Sequence, residues 1–212
     1  MFTDVAIRRE LHPGFEQAAF MEGRNRILLH KVMKDVPLKR HRHNHAQFGY
    51  NFWGTYLFTA ENSAFNVRSG SRYLLSGLTH HAAYATTDYY SMDYKFISGS
   101  ELPNAALFDP IGRYTTSNQG STNNVEVEHF QFNLSNNTIS RVIRVLSNKE
   151  NIFQLKIDQA KTNFLISGSK TQVYCNDMSA HLEIMRIYKI SPIDYMTLKF
   201  TDNSTEILIL SI

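Results

Sequence analysis

Between residues 25 and 97 the chain runs in short apolar stretches cut by glycine, asparagine and small polar residues, the texture of β-strands joined by turns. Strands are predicted over 25–33, 47–59, 64–67, 73–75, 81–86 and 90–97, the second of them rich in the aromatic side chains that strands favour. Ahead of them, Leu11-His12-Pro13-Gly14 reads as a turn. Residues 15–21 are too short and too near Gly23 to make a helix, and no element is assigned to them. No rhythm of long amphipathic helices alternating with strands is present. A parallel α/β plan is therefore excluded, and a sandwich or small barrel is expected.

Residues 98–120 differ in texture, with Gly99, Pro103, Asn104, Pro110 and Gly112 followed by an almost wholly small or polar run from Thr115 to Gly120. A structureless loop of that length inside one compact domain is uncommon, so a boundary is expected there. The division predicted is an N-terminal region with a first β domain over 1–97, a linker or long loop over 98–120, and a second half over 121–212. In that second half strands are predicted over 125–134, 152–157, 163–166, 172–174, 181–188, 195–200 and 206–212, and a short helix over 139–146.

The composition narrows the class. Hydrophobic residues make up 42% of the 212, enough for a real core and too many for a disordered chain. No apolar run approaches the ~18 residues of a membrane span, and no basic-then-apolar segment opens the chain, so no membrane partner is expected. The single cysteine, Cys175, excludes an intrachain disulfide and a cysteine-built zinc site, and a reducing cytoplasmic location is the inference. The net charge of +3 hints at nucleic acid only faintly. The densest basic stretch, Lys34 to His45, is interrupted by Val36, Pro37 and Leu38, and its histidines are mostly neutral at pH 7, so no nucleic-acid partner is expected. A sheet rich in Tyr and Phe must hide its edges and apolar face, which makes a two-fold homodimer the expected assembly.

The chemistry lies in the histidines. Five of the nine fall in two clusters, His41-Arg-His43-Asn-His45 and His80-His81. His41 and His43 are two apart, so on an extended strand both rings leave the same face, and Gln47 shares their parity. A histidine from a neighbouring strand would complete three imidazole nitrogens and one amide oxygen. Imidazole suits iron, nickel, zinc, copper and cobalt, while the amide adds no charge.

These residues carry a resemblance. Pro37 to Gly54, with His41-x-His43, Gln47 four residues on and Gly54 beyond, resembles the first sequence motif of the cupin superfamily. Gly70 followed eleven residues later by His81 resembles the second, although Ser76 stands where proline is usual and Leu78 where glycine is. Gly77 lies three residues before His80, and that spacing makes His80 the alternative ligand. The resemblance covers about residues 25–97 and recurs more weakly near 187–212. It implies an all-β cupin-type double-stranded β-helix, a jelly-roll barrel, in a bicupin whose C-terminal half is degenerate. His129-Phe-Gln131 and His181-Leu-Glu183 resemble remnants of a pair in that half, each without a companion cluster at useful spacing.

The pattern His-x-His-x-x-x-Gln-x-Gly-Tyr is closest to that of the bicupin isomerases of antibiotic and peptide biosynthesis. It implies metal ligation by His41, His43, Gln47 and His81, with a divalent transition metal, Fe(II) favoured and Zn, Co, Ni or Mn also suited. The activity implied is the shift of a double bond in a small unsaturated keto acid during secondary metabolite biosynthesis. The alternatives are a non-haem iron dioxygenase, an enzyme linearising unsaturated sugar acids, and a non-catalytic ligand-binding cupin. A proton-transferring base would come from His45, Tyr84 or the non-ligand member of His80 and His81. Arg72 is the candidate for a substrate carboxylate.

Overall fold

The computed structural model describes residues 2–97, 106–108, 125–133, 139–147, 151–175, 178–192, 195–200 and 205–212. Among the described residues every regular element is a strand, so no helix is long and apolar enough to cross a membrane. In chain order the strands are β1 (Phe2–Asp4), β2 (Ile7–His12), β3 (Phe15–Glu22), β4 (Asn25–Val32), β5 (Pro37–His41), β6 (Ala46–Trp53), β7 (Tyr56–Ala60), β8 (Ser63–Val67), β9 (Arg72–Leu75), β10 (His81–Ala85) and β11 (Tyr89–Phe96). They continue as β12 (Ala106–Phe108), β13 (Val125–Asn133), β14 (Ile139–Ser147), β15 (Asn151–Lys156), β16 (Asn163–Ser167), β17 (Thr171–Cys175), β18 (Met178–Leu182), β19 (Tyr188–Ile190), β20 (Tyr195–Phe200) and β21 (Thr205–Ser211). The class is all-β, as expected, with antiparallel sheets of jelly-roll type.

Two units make up the chain: Ile7–Ile111 with Asn133–Thr138, and Met1–Ala6 with Gly112–Phe132 and Ile139–Ile212. The first is built from a seven-stranded sheet, β12-β9-β6-β11-β4-β3-β2, and a four-stranded one, β5-β10-β7-β8. Between these two sheets pack Phe15, Val32, Tyr56, Phe58, Val67, Tyr73, Leu75 and Tyr89. Because side chains alternate along a strand, register fixes what else faces that interior. Gln47 and Gly49 of β6 lie opposite Leu75 and Tyr73 of β9 on one side. On the other side they lie opposite Lys95 and Asp93 of β11. Residues of the other parity, Phe48, Tyr50, Met92, Tyr94 and Phe96, are fully buried as well, so the large sheet is covered on both faces.

The predicted single strand over 47–59 is two strands. Gly54 breaks it at φ +81°, where an added Cβ would sit 2.0 Å from the Asp88 carbonyl oxygen, so only glycine makes this turn. The first 25 residues, given no element from sequence, form β1 to β3. The predicted turn at Pro13-Gly14 joins β2 to β3, with Gly14 at φ +80°. β2 is exposed along its whole length and forms the sheet edge.

The second unit pairs a six-stranded sheet, β1-β19-β16-β21-β14-β13, with the four-stranded β15-β20-β17-β18. The short helix expected over 139–146 is instead the strand β14, paired along its length with β21. It buries apolar residues of both parities: Ile143 and Val145 join the core with Leu198 and Ile209, and Val142 is equally buried. The sheet begins with the start of the chain, since Phe2, Thr3 and Asp4 pair with Ile190, Lys189 and Tyr188. Of the expected linker, Ala106–Phe108 forms β12 against β9, and the rest lies outside the described residues.

Candidate metal centre

Three of the predicted side chains converge at one end of the first unit. His41, the last residue of β5, is the register partner of His81, the first residue of β10. His43 lies beyond the end of β5, so it is not presented by strand parity as the sequence suggested. A loop contact places it instead: the Leu78 amide donates to the His43 carbonyl at 2.7 Å, tying residues 42–45 to the β9–β10 turn. Ring centroids lie 5.3 Å apart for His41 and His43, 4.4 Å for His41 and His81, and 4.7 Å for His43 and His81. One nitrogen from each ring falls within 4.8 Å of the others, and this cluster can hold a metal ion. Donors ~2.1 Å from one tetrahedral ion lie ~3.4 Å apart, so closing on an ion takes up to ~1.4 Å of approach between the nitrogens.

The ring orientations suit that task. His41 Nδ1 is 2.8 Å from the Lys39 carbonyl oxygen, and His81 Nδ1 is 2.9 Å from that of Thr79. A carbonyl only accepts, so each Nδ1 carries its proton and each Nε2 keeps a lone pair. His43 Nε2 is buried without a hydrogen-bond partner. Burial, then the neighbouring Lys95, His81 and His41, push the His43 imidazole down to about 3. Burial also lowers His81, against the opposing bond to Thr79. Neutral imidazole is the form that binds metal.

Gln47, on β6, is 2% exposed and lines the cavity beside His41 and His81. Its Nε2 donates to the Tyr73 hydroxyl at 3.1 Å, and that hydroxyl donates to Asp93 Oδ1 at 2.7 Å. Tyr73 has one proton and gives it to the carboxylate, so its oxygen only accepts from Gln47. The amide is therefore held with Oε1 turned away from Tyr73, and Oε1 is buried with no hydrogen-bond partner. Burial and Asp93 hold the Tyr73 phenol well above its usual range, so it remains a donor. Burial would raise the Asp93 carboxyl, but the hydrogen bond and charge of His30, the charge of Lys95 and the bond from Tyr73 outweigh it and bring it to about 2. Two ring nitrogens with fixed lone pairs and the neutral His43 ring make a cluster that fits a divalent transition metal, with the unpartnered Gln47 Oε1 on the same cavity wall as His41 and His81.

The cavity holds ≈ 360 Å³ and carries aromatic walls, including Phe15, Phe58 and Tyr89. Lys95 reaches it with no ion-pair partner among the described residues. Burial lowers the Lys95 ammonium, with the Asp93 charge opposing.

Other candidates lie elsewhere. The His80 amide donates to Glu61 Oε1 at 2.7 Å and its ring sits near the same carboxylate, so it stands outside the cluster. Tyr84 is 42% exposed and its hydroxyl donates to Asp35, because β10 alternation turns it away from the cavity that Ala83 lines. Arg72 neighbours Tyr73 on β9 and so takes the opposite sheet face, and neither it nor His45 lines the cavity. Sequence reasoning missed Tyr73, Asp93, His30 and Lys95. For Asp93 and Lys95 the signal was a polar stripe, Ser91, Asp93 and Lys95, alternating with Tyr90, Met92 and Tyr94, while Tyr73 and His30 carried none. Among the described residues the second unit holds no comparable cluster, and neither His129 nor His181 joins one.

No family model and no curated protein matches the chain. Solved structures do. AerE from Microcystis aeruginosa superposes with a TM-score of 0.70 at 14% identity, covering 100% of this chain and 98% of that one. GK1651 from Geobacillus kaustophilus gives 0.68 at 7% identity, over 100% and 94%. Quercetin 2,3-dioxygenase from Acinetobacter baumannii gives 0.69 at 10%, over 99% and 78%. This is the cupin fold. At such identities the likeness shows the fold alone, and the site must speak for itself.

Proposed function

We propose that the chain is a metal-dependent isomerase or tautomerase that relocates a proton within a small unsaturated keto acid, as an enzyme of secondary metabolite biosynthesis. The observation that carries the reading is the cluster of three imidazoles, His41, His43 and His81, with no carboxylate among them, and the buried, unpartnered amide oxygen of Gln47 on the cavity wall that His41 and His81 share. His41, His43, Gln47 and His81 would hold the ion, with Fe(II) favoured. Bound there, a divalent ion would supply Lewis acidity toward a carbonyl oxygen, undiminished by any carboxylate ligand.

The chain's own groups complete the picture. Lys95 supplies a positive charge inside the cavity and selects a carboxylate. Aromatic walls exclude water and accept an apolar body, and a cavity of ≈ 360 Å³ suits a small molecule. Gln47, latched by Tyr73, keeps its oxygen fixed so that no reorganisation is needed during the reaction.

A dioxygenase is the second reading, favoured by the likeness to quercetin 2,3-dioxygenase. One experiment separates the two. Metal-loaded protein is incubated with keto acids in deuterated water, in air and without oxygen. Deuterium incorporation or a new conjugated absorbance without oxygen uptake supports the isomerase. Turnover that stops without oxygen transfers the assignment to the dioxygenase, and tight binding without conversion transfers it to a ligand-binding cupin.

A further inference from the structure

We propose that His30 is the group that carries the proton in this cavity, its ring aimed by Asp93; the inference rests on the proton-relocating reading above. His30 is on β4, 9% exposed, and lines the same cavity as His41, Gln47 and His81. Its Nε2 lies 3.2 Å from Asp93 Oδ2. The other carboxylate oxygen takes the Tyr73 proton, so Asp93 stands between the metal-facing amide of Gln47 and the ring of His30.

Asp93 Oδ1 accepts the Tyr73 proton and the Lys95 charge lies near it, and an ionised carboxylate only accepts. The proton of a neutral His30 ring therefore sits on Nε2, and Nδ1 is left with a lone pair. Both ring nitrogens are buried without a hydrogen bond of good geometry, but Nε2 has the Asp93 carboxylate 3.2 Å away while Nδ1 faces no such partner. An unpartnered buried acceptor is costly in a core that serves stability alone. Facing a cavity, it has the make-up of a general base awaiting a substrate proton. Phe15 stacks on the ring at 5.7 Å and limits its rotation.

The chemistry balances. The C–H bond next to the carbonyl breaks, its proton goes to Nδ1, and its electron pair forms a carbon–carbon double bond as the carbonyl π pair moves to oxygen. The imidazolium so formed is neutralised by Asp93. Return of the electron pair then draws the proton from Nδ1 to the far carbon of the conjugated system. One proton has moved, no electron is gained or lost, and no co-reactant is consumed.

The test uses the full chain loaded with Fe(II) under argon, with phenylpyruvate in deuterated water, and follows loss of the methylene proton signal by NMR. Wild type is expected to accelerate exchange over the free metal. His30→Gln is expected to lose at least about 100-fold of that acceleration, while its iron and phenylpyruvate affinities stay within about threefold of wild type. Exchange that survives His30→Gln overturns the inference and leaves the functional reading standing. No acceleration by wild type overturns both. Should the variant not fold, the ring spectrum of 15N-histidine-labelled wild type decides. A neutral His30 protonated on Nε2 supports the assignment, and one protonated on Nδ1 overturns it.

Discussion

Gly49→Ala isolates the latch that connects the cavity wall to the metal centre. In register, Gly49 lies between Tyr73 on one neighbouring strand and Asp93 on the other. The Tyr73 ring crosses directly over it to reach the carboxylate, and an added Cβ would sit 2.0 Å from Tyr73 Cζ and 2.3 and 2.4 Å from its two Cε atoms. Carbon atoms rest ~3.5–4.0 Å apart, so the ring would have to withdraw by ~1.5 Å. Phe58 lies against it with centroids 4.8 Å apart, which leaves the ring little space to yield. Withdrawal would also break the 2.7 Å bond to Asp93 and the 3.1 Å bond from Gln47. Overpacking costs about 1–3 kcal/mol, and a lost hydrogen bond to a charged group about 1.5–3 kcal/mol. Replacing glycine in a strand returns roughly 0.5–1 kcal/mol, so the expected net loss is about 3 kcal/mol. Urea unfolding should show a lower midpoint at an unchanged slope. Tyr73→Ala alone should cost about 3–5 kcal/mol, and adding Gly49→Ala to it should cost nothing further. Additive losses in that cycle, or an unchanged midpoint for Gly49→Ala, would refute the reasoning.

Three further outcomes are expected. Alanine at His41, His43 or His81 should lower iron affinity by more than the ~10–100-fold that an outer-shell partner costs, and Tyr73→Phe by about tenfold, whereas His80→Ala and His45→Ala should leave it unchanged in a chelator competition. The Asp93 carboxyl is depressed to about 2 in the folded chain. Its contribution, about 2 kcal/mol, is therefore complete above pH ~4 and lost as pH falls toward ~2. Asp93→Asn should abolish that part of the acid dependence, and identical slopes in both proteins would contradict the assignment. The edge strand β2, with Ile7 61% and Leu11 50% exposed, is the surface expected to pair in a homodimer. Sedimentation at micromolar concentration should give a dimer, and a single species near 24.4 kDa would refute it.

Where glycine and asparagine punctuate aromatic-rich runs, strands could be read from sequence, because each strand there shows its own buried face. Where both faces are alike, they could not. β2 is solvated throughout, so Ile7-Arg-Arg-Glu-Leu-His12 carries no alternation. β14 is the opposite case, for Val142, Ile143 and Val145 are all buried. With Ile139 and Leu146 their spacing fits a helix as well as a strand, and only pairing with β21 decides. The histidine cluster was legible because three of its members sit in two short motifs. Tyr73, Asp93 and His30 come from three strands far apart in sequence, and each alone resembles an ordinary strand residue. What joins them is the bareness of Gly49, which sequence registers only as one more glycine.

The placement of β1 sets an order of assembly. Phe2–Asp4 are made well before their partners, Tyr188–Ile190. The Val5 amide donates to the Ile187 carbonyl at 2.9 Å, and Arg186 pairs with Asp4. During synthesis the strands of the unit that carries the histidine cluster have their pairing partners first, while this short segment waits with its backbone groups unpaired until residues 188–190 have been made. The outermost strand of the six-stranded sheet is thus made long before the strand it pairs with, so a chaperone or protease meeting the nascent chain would find a free edge there.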